Sequence, residues 1–134
     1  MTTIKSYTNI KQSRKLAEFL PLESADMYYF GIDDYPNSSK QYHEILIGKI
    51  DKDDIDEFGH IPCWSLAALL NYLREIDFFP EIEADEHGVT MSINYYDEEE
   101  ARLLAPVHNI KVKAESFIDA CVSMIEKLHE QKLL

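Results

Sequence analysis

The chain has 134 residues, 46% of them hydrophobic, and its 25 Asp or Glu against 13 Lys or Arg give a formal net charge of −12. That length suits a single domain, 1–134, and the apolar content excludes wholesale disorder. The acid excess excludes general binding to phosphate backbones, whose affinity comes from Lys and Arg displacing counterions.

The charge is uneven. Residues 1–50 carry six basic and six acidic side chains, 51–100 carry two and fifteen, and 101–134 carry five and four. The middle segment therefore supplies the whole excess. No window approaches 18 consecutive apolar residues, so no membrane span is expected. The first residues, Met1 to Tyr7, lack the apolar stretch of a secretory signal. With only two cysteines, Cys63 and Cys121, a disulfide scaffold is not expected and a cytoplasmic protein is.

In chain order, the first predicted helix covers residues 9–20, with Thr8 as N-cap, a stripe of Ile10, Ala17 and Leu20, and Pro21 as its stop. Residues 27–32 and 42–50 read as strands, and the turn-rich 33–39 between them makes the pair a β-hairpin. Residues 51–59 read as an acidic loop. Pro62 is expected to open a helix over 63–76, apolar around so much of its circumference that it reads as the buried centre of the fold.

Two alternating strands follow. Phe78, Pro80, Ile82 and Ala84 point one way, and Phe79, Glu81, Glu83 and Asp85 the other. Val89, Met91, Ile93 and Tyr95 alternate with Thr90, Ser92, Asn94 and Tyr96, with Gly88 in the connecting turn. A third strand at 109–114 turns Ile110, Val112 and Ala114 inward and Lys111 and Lys113 outward. Ser116 and Asp119 are spaced like a capping box ahead of a last helix, 117–131, whose apolar stripe is Phe117, Cys121, Met124, Ile125 and Leu128.

The fold class that follows is α+β: a two-layer sandwich in which an antiparallel three-stranded meander is covered by two helices. The 1–60 part adds the N-terminal helix, hairpin and acidic loop, and 61–134 is the helix-βββ-helix core. Double-stranded-RNA-binding domains share that element order, but the C-terminal part carries too few Lys and Arg to grip two phosphate strands.

The stretch Ile61-Pro62-Cys63-Trp64-Ser65-Leu66-Ala67-Ala68-Leu69-Leu70, and the helix from Ile118-Asp119-Ala120-Cys121 to Glu130, resemble segments of an uncharacterised group of small acidic proteins encoded by phages and mobile elements of gut anaerobes. Together they cover about a fifth of the chain. The resemblance implies a host context and no activity, and it transfers no site residue.

Specific chemistry has little to stand on. Cys63-Trp64 at a helix start matches the nucleophile position of papain-like proteases, but the Cys-Gly-x-Cys-Trp signature is absent, and a packed Cys beside a core Trp is the expectation. His60 and Cys63 form half of a zinc site with no second pair. A calcium loop starting at Asp51 would place Ile55, Asp56 and Pro62 where an oxygen ligand, Gly and Glu are needed. No cofactor, metal or catalytic residue is expected.

What remains is surface. The expected interaction surface comprises Asp51, Asp53, Asp54, Asp56 and Glu57, then Glu81, Glu83 and Asp85, then Tyr96, Asp97, Glu98, Glu99 and Glu100. One of Tyr28 and Tyr29 is expected to flank it, since adjacent strand residues face opposite ways. This reads as a non-enzymatic protein-binding module whose partner is a protein with a basic surface. The alternative is an acidic nucleic-acid mimic occupying the site of a host defence protein. A second copy of the chain is a further candidate partner, through free sheet edges and the apolar end Leu133-Leu134.

Overall fold

A computed structural model describes residues 6–32, 41–95 and 108–134. Its elements run α1 (Ile10–Leu16), β1 (Met27–Ile32), β2 (Gln41–Ile47), α2 (Lys52–Phe58), β3 (Ile61–Cys63), α3 (Leu66–Glu75), β4 (Glu81–Asp85), β5 (Gly88–Tyr95), β6 (His108–Ala114) and α4 (Phe117–Glu130), with a 3-10 turn at Leu22–Ser24. The fold is α+β, with two three-stranded antiparallel sheets ordered β2-β1-β3 and β4-β5-β6. Among the described residues no helix is long and apolar enough to cross a membrane.

The second sheet is the expected meander. Val89, Met91 and Ile93 of β5 meet Val112 and Ile110 of β6 on the buried face, while Lys111 and Lys113 stay exposed. Asp85 Oδ1 accepts the His87 amide (2.7 Å) in the β4–β5 turn. Gly88 then takes φ +136°, and a Cβ there would stand 2.6 Å from the Ala114 carbonyl oxygen. α4 covers the sheet's inner face along β5 and β6, and α3 packs beside α4.

The buried centre is α4 and not the 63–76 segment. Ile118, Ala120, Cys121, Val122, Met124, Ile125 and Leu128 of α4 are all buried, whereas in α3 only Leu69, Tyr72 and Leu73 are, and Ala67 is exposed. Both helices end in Schellman turns. The Leu133 amide reaches the Leu128 carbonyl (2.9 Å) past Lys132 at φ +59°, and the Phe78 amide reaches Leu73 (2.8 Å) past Asp77 at φ +64°. Leu133 and Phe78 are thereby folded back onto the core.

The first sheet differs from expectation. β1 and β2 pair as the predicted hairpin strands (Tyr28↔Leu46, Tyr29↔Ile45), but β2 ends at Ile47 and a third strand joins on the other side of β1. Pro62, expected to open a helix, sits in the middle of that strand opposite Tyr28. β3 is an edge strand, where a missing N–H costs the ladder little. The helix begins three residues later, with Ser65 as N-cap accepting the Ala68 amide (3.1 Å). Asp26 clamps that cap by accepting both the Ser65 amide (3.0 Å) and hydroxyl (2.5 Å).

The N-terminal helix is also shorter than predicted, seven residues, with its cap at Asn9. Asn9 and Gln12 bond reciprocally, each side chain accepting the other's amide (2.8 and 3.0 Å). Thr8, the expected cap, is instead fully buried, and its backbone pairs with Trp64, the Thr8 amide donating to the Trp64 carbonyl (2.9 Å). Ser116 caps α4 as predicted, accepting the Asp119 amide (3.1 Å). Asp119 does not complete the box; its Oδ1 accepts the Gln12 amide side chain (2.7 Å), tying α1 to α4.

The acidic 51–59 segment is a helix, α2, rather than a loop. Asp51 Oδ1 accepts the Asp54 amide (2.9 Å) and Asp54 Oδ2 accepts the Asp51 amide (3.2 Å). Acidic residues in the first turn also complement the helix dipole. Gly59 at φ +68° closes the helix in the left-handed conformation.

Candidate functional site

Alternation along β1 sends Met27 and Tyr29 to one face of the first sheet and Tyr28 and Phe30 to the other. Tyr29 packs inward with Ile61 and Cys63. Tyr28 is therefore the outward tyrosine of the pair, and it is half-buried. On that outer face the His60 ring lies 5.5 Å from Tyr28, 4.7 Å from Phe30 and 5.5 Å from Phe58, centroid to centroid. His60 is only 8% exposed, whereas Phe30 and Phe58 are 37% and 49% exposed. The histidine thus fills the centre of a ring cluster whose outer phenyls face solvent.

Phe58 is the last residue of α2, which brings the acidic helix to the edge of this cluster. Asp53, Asp56 and Glu57 are exposed. Separations of three and four residues put Asp56 and Glu57 beside Asp53 on the helix surface, so their charges add locally. Asp51 and Asp54, also expected in the surface, are the two halves of the capping box. Only part of the first acidic cluster is therefore available to a partner.

The second cluster stands in a different setting. Glu81 pairs with Ser92 and Ser92 with Lys111; Glu83 pairs with Thr90 and Thr90 with Lys113. The outer face of the second sheet is therefore crossed by rows that start acidic on β4 and end basic on β6. Two strand spacings, about 10 Å, separate the ends of each row. Asp85 is held by the turn. This face is polarised, not uniformly acidic, and it belongs to a different sheet from the one α2 adjoins. Tyr96, Asp97, Glu98, Glu99 and Glu100 lie outside the described residues.

The cysteine candidates resolve into packing. Cys63 is fully buried on β3, two residues before the α3 cap rather than at the helix start. Its thiol donates to the Thr8 carbonyl (3.4 Å) and accepts the Thr8 hydroxyl (3.6 Å). Burial pushes its pKa up, against the lowering a nucleophile requires. Extended backbone also sends His60 and Cys63 to opposite faces of β3, so the helical i, i+3 geometry of a half zinc site is not formed. Among the described residues no three His, Cys, Asp or Glu side chains gather as metal ligands would.

No protein-family model, curated protein or solved structure matches the chain. Phe30, Phe58 and His60 were not among the expected site residues. The outward parity of Phe30 with Tyr28 is a sequence signal for Phe30 alone; Phe58 and His60 carry none.

Proposed function

We propose that the protein is a non-enzymatic binding module whose outer aromatic cluster and acidic α2 together take a protein partner with a basic surface. The observation that carries this reading is the exposure of Phe30 and Phe58, each more than a third, where the ring cluster meets the end of α2, a helix whose Asp53, Asp56 and Glu57 are exposed. Aromatic rings supply desolvated contact area at interfaces, and a rim of one charge steers and aligns the opposite one. An Arg or Lys side chain on the partner can lie across an exposed phenyl face. The same reading places the protein in a reducing cytoplasm, supported by Cys63 and Cys121 being buried free thiols.

The test is affinity capture from host lysate with wild type and with Phe30→Ala/Phe58→Ala, at low and moderate salt. A partner held by wild type, weakened by salt and lost with the double variant supports the reading. The same proteins retained by both baits, or none sensitive to salt, would overturn it.

A further inference from the structure

A groove of about 310 Å³ opens between α3, the Leu22–Ser24 turn with Asp26, and Lys49. Ala67, Ala68 and the ring of Tyr72 give it an apolar strip, and Glu23, Asp26 and Glu75 supply three carboxylates against the single ammonium of Lys49. That ammonium is drawn to backbone, donating to the carbonyls of Glu23 (2.6 Å) and Ala25 (3.2 Å). Asp26 is fixed in orientation by its two bonds from Ser65. Glu75 Oε1 accepts the Asn71 side-chain amide (3.0 Å).

Tyr72 carries the argument. The residue is only 8% exposed, yet among the described residues its hydroxyl bonds to no protein group. No side-chain oxygen or nitrogen among them is both sealed from solvent and unpartnered. The hydroxyl therefore has access to solvent, and Tyr72 is one of the residues that line the groove. A ring held by the core keeps that hydroxyl in a fixed position, free of protein partners among the described residues and able to bond a ligand in place of solvent.

We propose that the groove binds an alkylguanidinium group. Three carboxylates against one ammonium favour a cation. A planar guanidinium has enough donors to meet two carboxylates and the Tyr72 oxygen at once, and a single ammonium matches that fork poorly. The Ala67–Ala68–Tyr72 strip takes the alkyl chain. This site is separate from the ring cluster of α2 and stands or falls without it.

Two sources share this chemistry, a free small guanidine and an arginine side chain presented by a partner. Isothermal titration of the full chain with agmatine and with a blocked Gly-Arg-Gly peptide distinguishes them, with glutarate as the anionic control. One-site saturation by agmatine alone points to the free molecule; saturation by the peptide points to a presented side chain. Tyr72→Phe and Glu75→Gln should each weaken the binding about tenfold, the cost of one hydrogen bond involving a charged group. Tyr72→Phe changes no charge, so its effect separates this site from general attraction to an acidic protein. No saturable binding of either probe, or binding unchanged in both variants, would overturn the proposal.

Discussion

The phenol of Tyr29 donates to the backbone carbonyl of Thr8 at 2.6 Å, in the buried interior of the first sheet. Around that bond, the Thr8 hydroxyl accepts the Trp64 amide (3.2 Å) and shares a hydrogen bond with Ser13 (2.7 Å). Trp64 itself is fully buried among the residues that pack between α3, α4 and the second sheet. Thr8 is thus a polar pin through which the N-terminal segment, the first sheet and the main core are held in one arrangement.

Removing that pin should cost more than removing any one bond to it. Thr8→Val keeps the shape but leaves the Trp64 amide and the Ser13 hydroxyl without their partner, so a loss of about 2 kcal/mol is expected. Tyr29→Phe deletes one donor to a carbonyl that Cys63 also serves, so about 1 kcal/mol is expected. Urea denaturation of both variants measures this. A Tyr29→Phe loss larger than the Thr8→Val loss would contradict the arrangement.

Alkaline stability should be limited by buried acids that resist ionising. Burial pushes the Cys121 thiol from its ordinary 9.0 up to about 12, and it raises the Cys63 thiol and the Tyr29 and Tyr72 phenols as well. Between the unfolded and folded pKa values the native state binds more protons, so stability is full below pH 9 and falls as pH rises. By pH 10.5 Cys121 alone should cost about 2 kcal/mol. Cys121→Ala lowers stability at pH 7.5 by leaving a small cavity, but its loss between pH 7.5 and 10.5 should be smaller than that of wild type. Equal slopes for the two proteins in urea titrations would refute the assignment. For the same reason Cys63 in the native protein should react with iodoacetamide far more slowly than free thiol.

Elements that are strongly two-sided were legible in the sequence, and elements defined by a distant partner were not. Val89, Met91 and Ile93 alternate so cleanly that β5 and its buried face follow from period alone, and the α4 stripe is equally clear. Pro62 suits either the first turn of a helix or an edge strand, and only its pairing with Tyr28 decides between them. That pairing also explains why the helix begins at Leu66, three residues after its predicted start at Cys63. In α2 only Ile55 and Phe58 are apolar, so composition hid a helix that the Asp51–Asp54 spacing encodes. The acids of the candidate site were visible; the rings beside them come from β1, α2 and residue 60, and no local pattern predicts such convergence.

Gly88 is the position where the second sheet tolerates no side chain. Its φ of +136° is strained for any L-residue, and a Cβ would meet backbone, the Ala114 carbonyl oxygen at 2.6 Å, rather than a side chain able to move aside. Gly88→Ala should therefore destabilise the protein by about 2 kcal/mol or more. Asn94→Ala, on the exposed outer face of the same strand, should stay within about 0.5 kcal/mol of wild type. Thermal melts of the two variants check the contrast, and similar melting temperatures would show that the turn relaxes.

The carboxylates of α2 should divide into two classes when neutralised one at a time. α2 is seven residues long and rests on few packing contacts, so its caps supply much of what holds it. Asp51→Ala removes the acceptor for the Asp54 amide and is expected to cost the helix about 1 kcal/mol. Because the main core lies elsewhere, the loss should appear as faster hydrogen exchange at the Ile55 and Gly59 amides, with little change in global melting. Asp53 makes no cap; Asp53→Asn loses a first-turn charge that complements the helix dipole but relieves repulsion from its neighbours, so exchange at those amides should change less than in Asp51→Ala. If Asp53→Asn loosened α2 as much as Asp51→Ala, the exposed acids would be holding the helix together and could not be free for a partner.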